Sequence, residues 1–118
     1  MNMEKKSAFY MCDYFTDISK EYGLLEAILL NYIYKWVIRN KQLDINYFDG
    51  FYWMFRGSRL IAEDIGGISY KSVQRTLLKM QEQNLILISN YNKNPLDTTN
   101  WYTLSTKGLH LIENHIKK

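Results

Sequence analysis

Gly66-Gly67 separates a short apolar cluster from a longer amphipathic one, and no single regular element can run through the pair. Before it, Leu60, Ile61 and Ile65 recur at helical spacing behind Ser58, a candidate N-cap, and predict a short helix. After it, Ser69 is placed to cap a second helix running to about Gln83. Val73, Leu77, Met80 and Leu78 supply its apolar side. Two helices joined across so few residues, the first short and the second capped, predict a helix-turn-helix over 58–83.

The flanking segments extend this pattern. Leu85-Ile86-Leu87-Ile88 has strand composition, Asn90–Asn100 is rich in loop formers, and Trp101-Tyr102-Thr103-Leu104 reads as a returning strand. Together they predict a β-wing over 85–104. Thr106–Lys117 follows as a C-terminal helix with Leu109, Leu111, Ile112 and Ile116 as its apolar positions. Upstream, Leu25, Ile28, Leu29, Tyr32, Ile33, Trp36 and Val37 recur every three or four residues, with Leu24, Leu30 and Ile38 widening the face. They predict a central core helix over 19–39. Arg39, Lys41 and the polar stretch to Asn46 mark its end. Asp49-Gly50 is a turn signal ahead of the aromatic strand Phe51–Phe55, and residues 8–18 read as an extended lead-in or a short first helix. The sum is a mainly α chain with a small β-wing, an α+β winged helix-turn-helix in a single domain over 1–118.

Three segments carry a resemblance. They are Tyr22–Trp36, Asp49–Met54, and Ser69–Met80 continuing through Leu85-Ile86 and Asn90-Tyr91-Asn92-Lys93 to Trp101-Tyr102-Thr103-Leu104. In this order they resemble the N-terminal winged-helix domain of replication-initiation (DnaD-type) proteins of phages and mobile elements in Gram-positive bacteria. Asn-Tyr-Asn-Lys followed by Trp-Tyr-Thr is the most distinctive part. The resemblance implies a DNA-associated role in replication initiation or its regulation. Such initiators usually continue into a second domain that engages helicase-loading partners. This chain stops soon after the wing, which leaves a stand-alone DNA binder, a regulator or a protein-binding derivative as the expectation.

Charge is consistent with a nucleic-acid partner. Six cations and seven acids precede Arg56, while nine cations and five acids follow from it, so the net +3 splits into −1 and +4. On a recognition helix entering the major groove, Ser69, Tyr70, Lys71, Ser72, Gln74 and Arg75 are the base-facing candidates. Arg matches a guanine edge and Gln an adenine edge. Arg56, Arg59, Lys79 and Lys93 are the phosphate candidates for double-stranded DNA. The wing tip, Tyr91–Thr99, offers only Lys93 against Asp97. That low charge motivates the alternative of a protein-interaction module, a helicase-loading accessory or an inhibitor of a host protein. Leu109, Ile112 and Ile116 are open to two uses, a homodimer seam or packing on the chain's own core.

Other chemistry finds little support. Gly66-Gly67 lacks the Lys-Ser/Thr of a phosphate loop, and Ser, Asp and His form no nucleophile elbow. His110, Glu113 and His115 approach a zinc-peptidase pattern, but His110 and His115 are five positions apart and face different sides of a helix. The expectation is no enzyme, no metal and no cofactor. Trp36, Trp53, Phe55 and Trp101 lie in apolar patterns and are expected in the core rather than stacked on bases. Lone Cys12, read as a buried small hydrophobe, fits a reducing bacterial cytoplasm. The run Leu24–Ile38 is too polar and short to span a bilayer, and no targeting segment is apparent.

Overall fold

The computed structural model describes residues 15–116, with side chains described as far as Asn114. Cys12, residues 8–14 of the lead-in, Lys117, Lys118 and the side chains of His115 and Ile116 lie outside the described residues. The chain is mainly helical with small antiparallel sheets. In order it has helices α1 (15–22) and α2 (Leu24–Leu43), and strands β1 (Tyr47–Phe48), β2 (Phe51–Tyr52) and β3 (Met54–Phe55). Helices α3 (Ser58–Ile65) and α4 (Tyr70–Glu82), strands β4 (Ile86–Ser89) and β5 (Trp101–Leu104), and helix α5 (Thr106–Ile116) complete it. No helix among the described residues is long and apolar enough to cross a membrane.

The expected helix over 19–39 is two helices. Gly23, at φ 121°, ends α1 and begins α2: its N–H bonds Ser19 and its carbonyl accepts from Ala27. A side chain there would be strained by that φ and would also collide with the Glu26 carboxylate. At its far end α2 continues to Leu43 and stops only where Asp44 turns left-handed at φ 53°. Its buried face is also rotated from the expected one. Ala27, Leu29, Leu30 and Ile33 are buried together with polar Glu26 and Asn40, whereas Leu24 is 61% exposed. The Glu26 carboxylate meets Lys79 Nζ at 2.7 Å, and Asn40 Nδ2 donates to the Trp53 carbonyl at 2.7 Å, while the buried Asn40 Oδ1 accepts no hydrogen bond from the described residues.

The expected aromatic strand 51–55 is divided at Trp53. Residues 51–52 pair with β1 in a hairpin whose turn, Asp49-Gly50, has positive φ at both positions, as a two-residue hairpin turn requires. Residues 54–55 pair instead with β5, which also pairs with β4, so the second sheet has the order β3-β5-β4, antiparallel throughout.

Between these sheets and α2 lies one core. Met54, Ile61, Val73, Leu77, Met80, Leu85, Ile86 and Ile112 are buried against Leu29, Leu30 and Ile33. Helix α5 closes it at Gly108, where a Cβ would fall inside the radius of the Leu85 carbonyl oxygen. Ile112 is wholly buried there and Leu109 packs beside it, so this part of the α5 stripe covers the chain's own core and is not a free dimer seam.

Candidate nucleic-acid interface

The positive φ values of Gly66 and Gly67 turn the chain out of α3, which is capped by Gly57 and not by Ser58. Helix α4 then starts behind Ser69 as expected: the extended Ser69 backbone lets its Oγ accept the Ser72 N–H at 3.1 Å. The Ser69 hydroxyl also donates to Ser72 Oγ at 3.0 Å, and Arg75 Nη2 donates to the same oxygen at 3.1 Å. A serine pair thus holds the guanidinium over the first turn.

These bonds divide the six base-facing candidates. Lys71, Gln74 and Arg75 are exposed. Ser69 is the cap, and half-buried Ser72 is the strut for Arg75. Tyr70 is half-buried against the core, its ring covered by the Arg59 guanidinium 3.8 Å from the centroid. Gln74 Nε2 donates to Ser58 Oγ at 3.0 Å, tying α4 to the start of α3.

The phosphate candidates divide too. Arg59 and Lys93 are exposed. Arg56 is engaged elsewhere: its Nε donates to Asp64 Oδ2 at 2.9 Å, its guanidinium lies 5.2 Å from the Trp36 ring centre, and Tyr32 donates to the same carboxylate oxygen. The Tyr32 hydroxyl and the Arg56 guanidinium hold the Asp64 carboxyl below its ordinary range. Burial, then the bond to Asp64, pushes the Tyr32 phenol up to about 12. Lys79 Nζ pairs with the Glu26 carboxylate at 2.7 Å while its side chain stays 57% exposed, so Lys79 and Arg56 each carry an acid partner that the sequence does not announce. The signal missed is Glu26 itself, an acid within an apolar face.

Between α4, the start of α3 and the wing runs a groove of about 520 Å³. Gln74 and Leu78 form one wall, Ser58, Arg59 and Leu60 another, and Thr98–Asn100 with Tyr102 the wing side. Leu60 and Leu78, both expected to be buried, are 46% and 56% exposed here. At the wing tip Leu96 is 87% exposed.

The wing is not a slack polar loop. Asn92 Nδ2 donates to the carbonyls of Asp97 and Thr99 at 2.8 and 2.7 Å, and its Oδ1 accepts from the Trp101 indole at 2.8 Å. The backbone N–H of Thr99, then its side chain, holds the Asp97 carboxyl below its ordinary range. Tyr91 stacks on Phe48 at 4.5 Å and 10°, meets Trp53 and Trp101 edge-on, and donates to Asp49. The β1–β2 hairpin is thereby strapped to the wing. Of the four aromatics expected in the core, Trp53 and Trp101 are buried and Trp36 is half-buried. Phe55 is exposed, with its ring 4.7 Å from that of Trp101. No group of three or more metal-ligating side chains occurs among the described residues. Compared with protein-family models, with curated proteins and with solved structures, the chain matches none.

Proposed function

We propose that the chain is a single winged helix-turn-helix domain that binds double-stranded DNA sequence-specifically, with the N-terminal half of α4 in the major groove. One observation carries the reading. Lys71, Gln74 and Arg75 stand exposed on the first two turns of α4, and the helix bears no acid before Glu82. The order of elements and the sheet β3-β5-β4 beside the helix pair support the fold part of the proposal. Arg59 flanks α4, and Lys93 provides a further phosphate donor from the wing. The resemblance of the three segments supports a role in replication initiation or its regulation in a phage or mobile element; the sequence, with no enzyme motif and a lone cysteine, motivates a part without catalysis or cofactor in the bacterial cytoplasm.

Titration of a fluorescent duplex at two salt concentrations tests this. Affinity should fall steeply with salt and weaken in Lys71→Ala and Arg75→Ala. Absence of binding at low salt overturns it.

A second reading is favoured by exposed Leu60 and Leu78 beside the groove: a protein-interaction module, such as a helicase-loading accessory or an inhibitor of a host protein. A stoichiometric complex with a replication protein that survives nuclease and is lost in the Leu60→Ser, Leu78→Ser double variant would establish it.

A further inference from the structure

We infer that Leu78 is a specificity-determining residue of this face, packing on the 5-methyl group of a thymine in the major groove; the inference rests on the DNA-binding reading above. Lys71, Arg75, Leu78 and Glu82 follow one another at steps of four, three and four, so they share one line along α4. The opposite line, Val73, Leu77 and Met80, is buried. Leu78 is therefore not a stray core residue: Leu77 beside it is 1% exposed and Leu78 56%.

The position of Leu78 in that line limits what it can meet. Lys71 and Arg75 precede it and draw the helix toward the phosphate-lined groove. Glu82 follows it, and an acid there repels phosphate, so the part of α4 that enters the groove ends at Leu78. A leucine at that depth gains nothing from phosphate or from the hydrogen-bonding atoms of base edges. Thymine's methyl is the apolar feature that the major groove offers. Gln74 lies one turn earlier and lines the same groove between α4 and the wing; one of its amide hydrogens goes to Ser58 Oγ, and the other, with Oε1, matches an adenine edge. The pair Gln74 and Leu78 thus fits consecutive A·T pairs, an adenine edge above and a thymine methyl below.

The test uses the full chain and two alternating duplexes, poly(dA-dT) and poly(dA-dU), which differ only in the methyl group. Burying one methyl corresponds to a preference of about fourfold for poly(dA-dT) at low salt. Leu78→Ala should bind poly(dA-dU) within about twofold of the unchanged chain and lose the preference, while Leu78→Met restores it. Since Leu78 is exposed, the thermal midpoints of both variants should match that of the parent, which checks folding. Equal affinity of the unchanged chain for the two duplexes overturns the inference and leaves DNA binding standing. A preference that survives in Leu78→Ala also overturns it. Binding to neither duplex overturns the DNA-binding reading itself.

Discussion

The Trp101 indole N–H donates to Asn92 Oδ1 at 2.8 Å, and the Nδ2 of the same amide spans the carbonyls of Asp97 and Thr99. One side chain therefore closes the wing loop on itself and anchors it to a buried strand residue. Replacing Asn92 by Ala removes three hydrogen bonds and leaves a part-buried indole N–H without its acceptor, for an expected loss of about 2 kcal/mol. Urea denaturation should show a lower midpoint at unchanged slope, with Lys93→Ala close to the parent.

Lys79 and the exposed cations of α4 should separate cleanly. Lys79 Nζ neutralises the nearly buried Glu26 carboxylate, so Lys79→Ala should destabilise by roughly 2 kcal/mol while leaving the salt dependence of DNA binding unchanged. Lys71→Ala and Arg75→Ala should do the reverse: little change in stability, and a salt slope reduced by about 1 each. A slope lowered by Lys79→Ala would put that lysine on phosphate after all.

Tyr32 gives an alkaline signature. Its phenol titrates at about 12, against the ordinary 10.0, because burial and the bond to Asp64 favour the neutral form. With the folded pKa above the unfolded one, the contribution is complete below pH 10 and is lost as pH rises through about 12. Folding stability followed by denaturant between pH 9 and 12 should fall less steeply in Tyr32→Phe than in the parent, about in proportion to one phenol. Asp64 acts in the opposite direction. Its carboxyl is held below 3.8, so its stabilising contribution is present above that value and disappears as pH falls through the lowered pKa. Asp64→Asn should flatten the acid limb.

Gly108 is expected to be intolerant of any side chain. Its backbone approaches Leu85 so closely that even Ala forces α5 away from the strand, and with it the wholly buried Ile112. A loss of about 3 kcal/mol, visible in the thermal midpoint, is expected for Gly108→Ala. An unchanged midpoint would show that α5 can shift without loss.

What the sequence disclosed follows from how local each signal is. Ser69 as a cap, the Gly66-Gly67 turn and the burial of Val73, Leu77 and Met80 are written within fifteen residues, and the structure agrees with all of them. The break at Gly23 was hidden because apolar residues continue on both sides, and only the positive φ reveals it. The split of residues 51–55 depends on which partner each half finds, β1 for one and β5 for the other, and pairing over long separations leaves no local trace. Among the site residues, charge and position in the motif nominate Arg56 and Lys79 for phosphate. Their partners, Asp64 and Glu26, sit 8 and 53 residues away in the chain. Leu78 is assigned to the apolar side by helical spacing, and only its exposure distinguishes it from Leu77. The distinctive residues Tyr91, Asn92 and Trp101 form the frame of the wing, so their pattern reflects architecture more than ligand chemistry.

Trp53 fixes where this chain can change in length. A single residue separates β2 from β3, and its backbone N–H, carbonyl and indole N–H are all engaged, by Asn46, Asn40 and Phe48. One residue added on either side would send the indole to the wrong face of the strand and uncouple the hairpin from the sheet. The tip at Lys93–Leu96 is exposed, and its hydrogen bonds are local ones, from the Leu96 and Asp97 N–H groups to Asn94, with none to the core. Relatives of this protein that differ in size should therefore vary at the tip of the wing and keep a fixed count from Asn46 to Phe55.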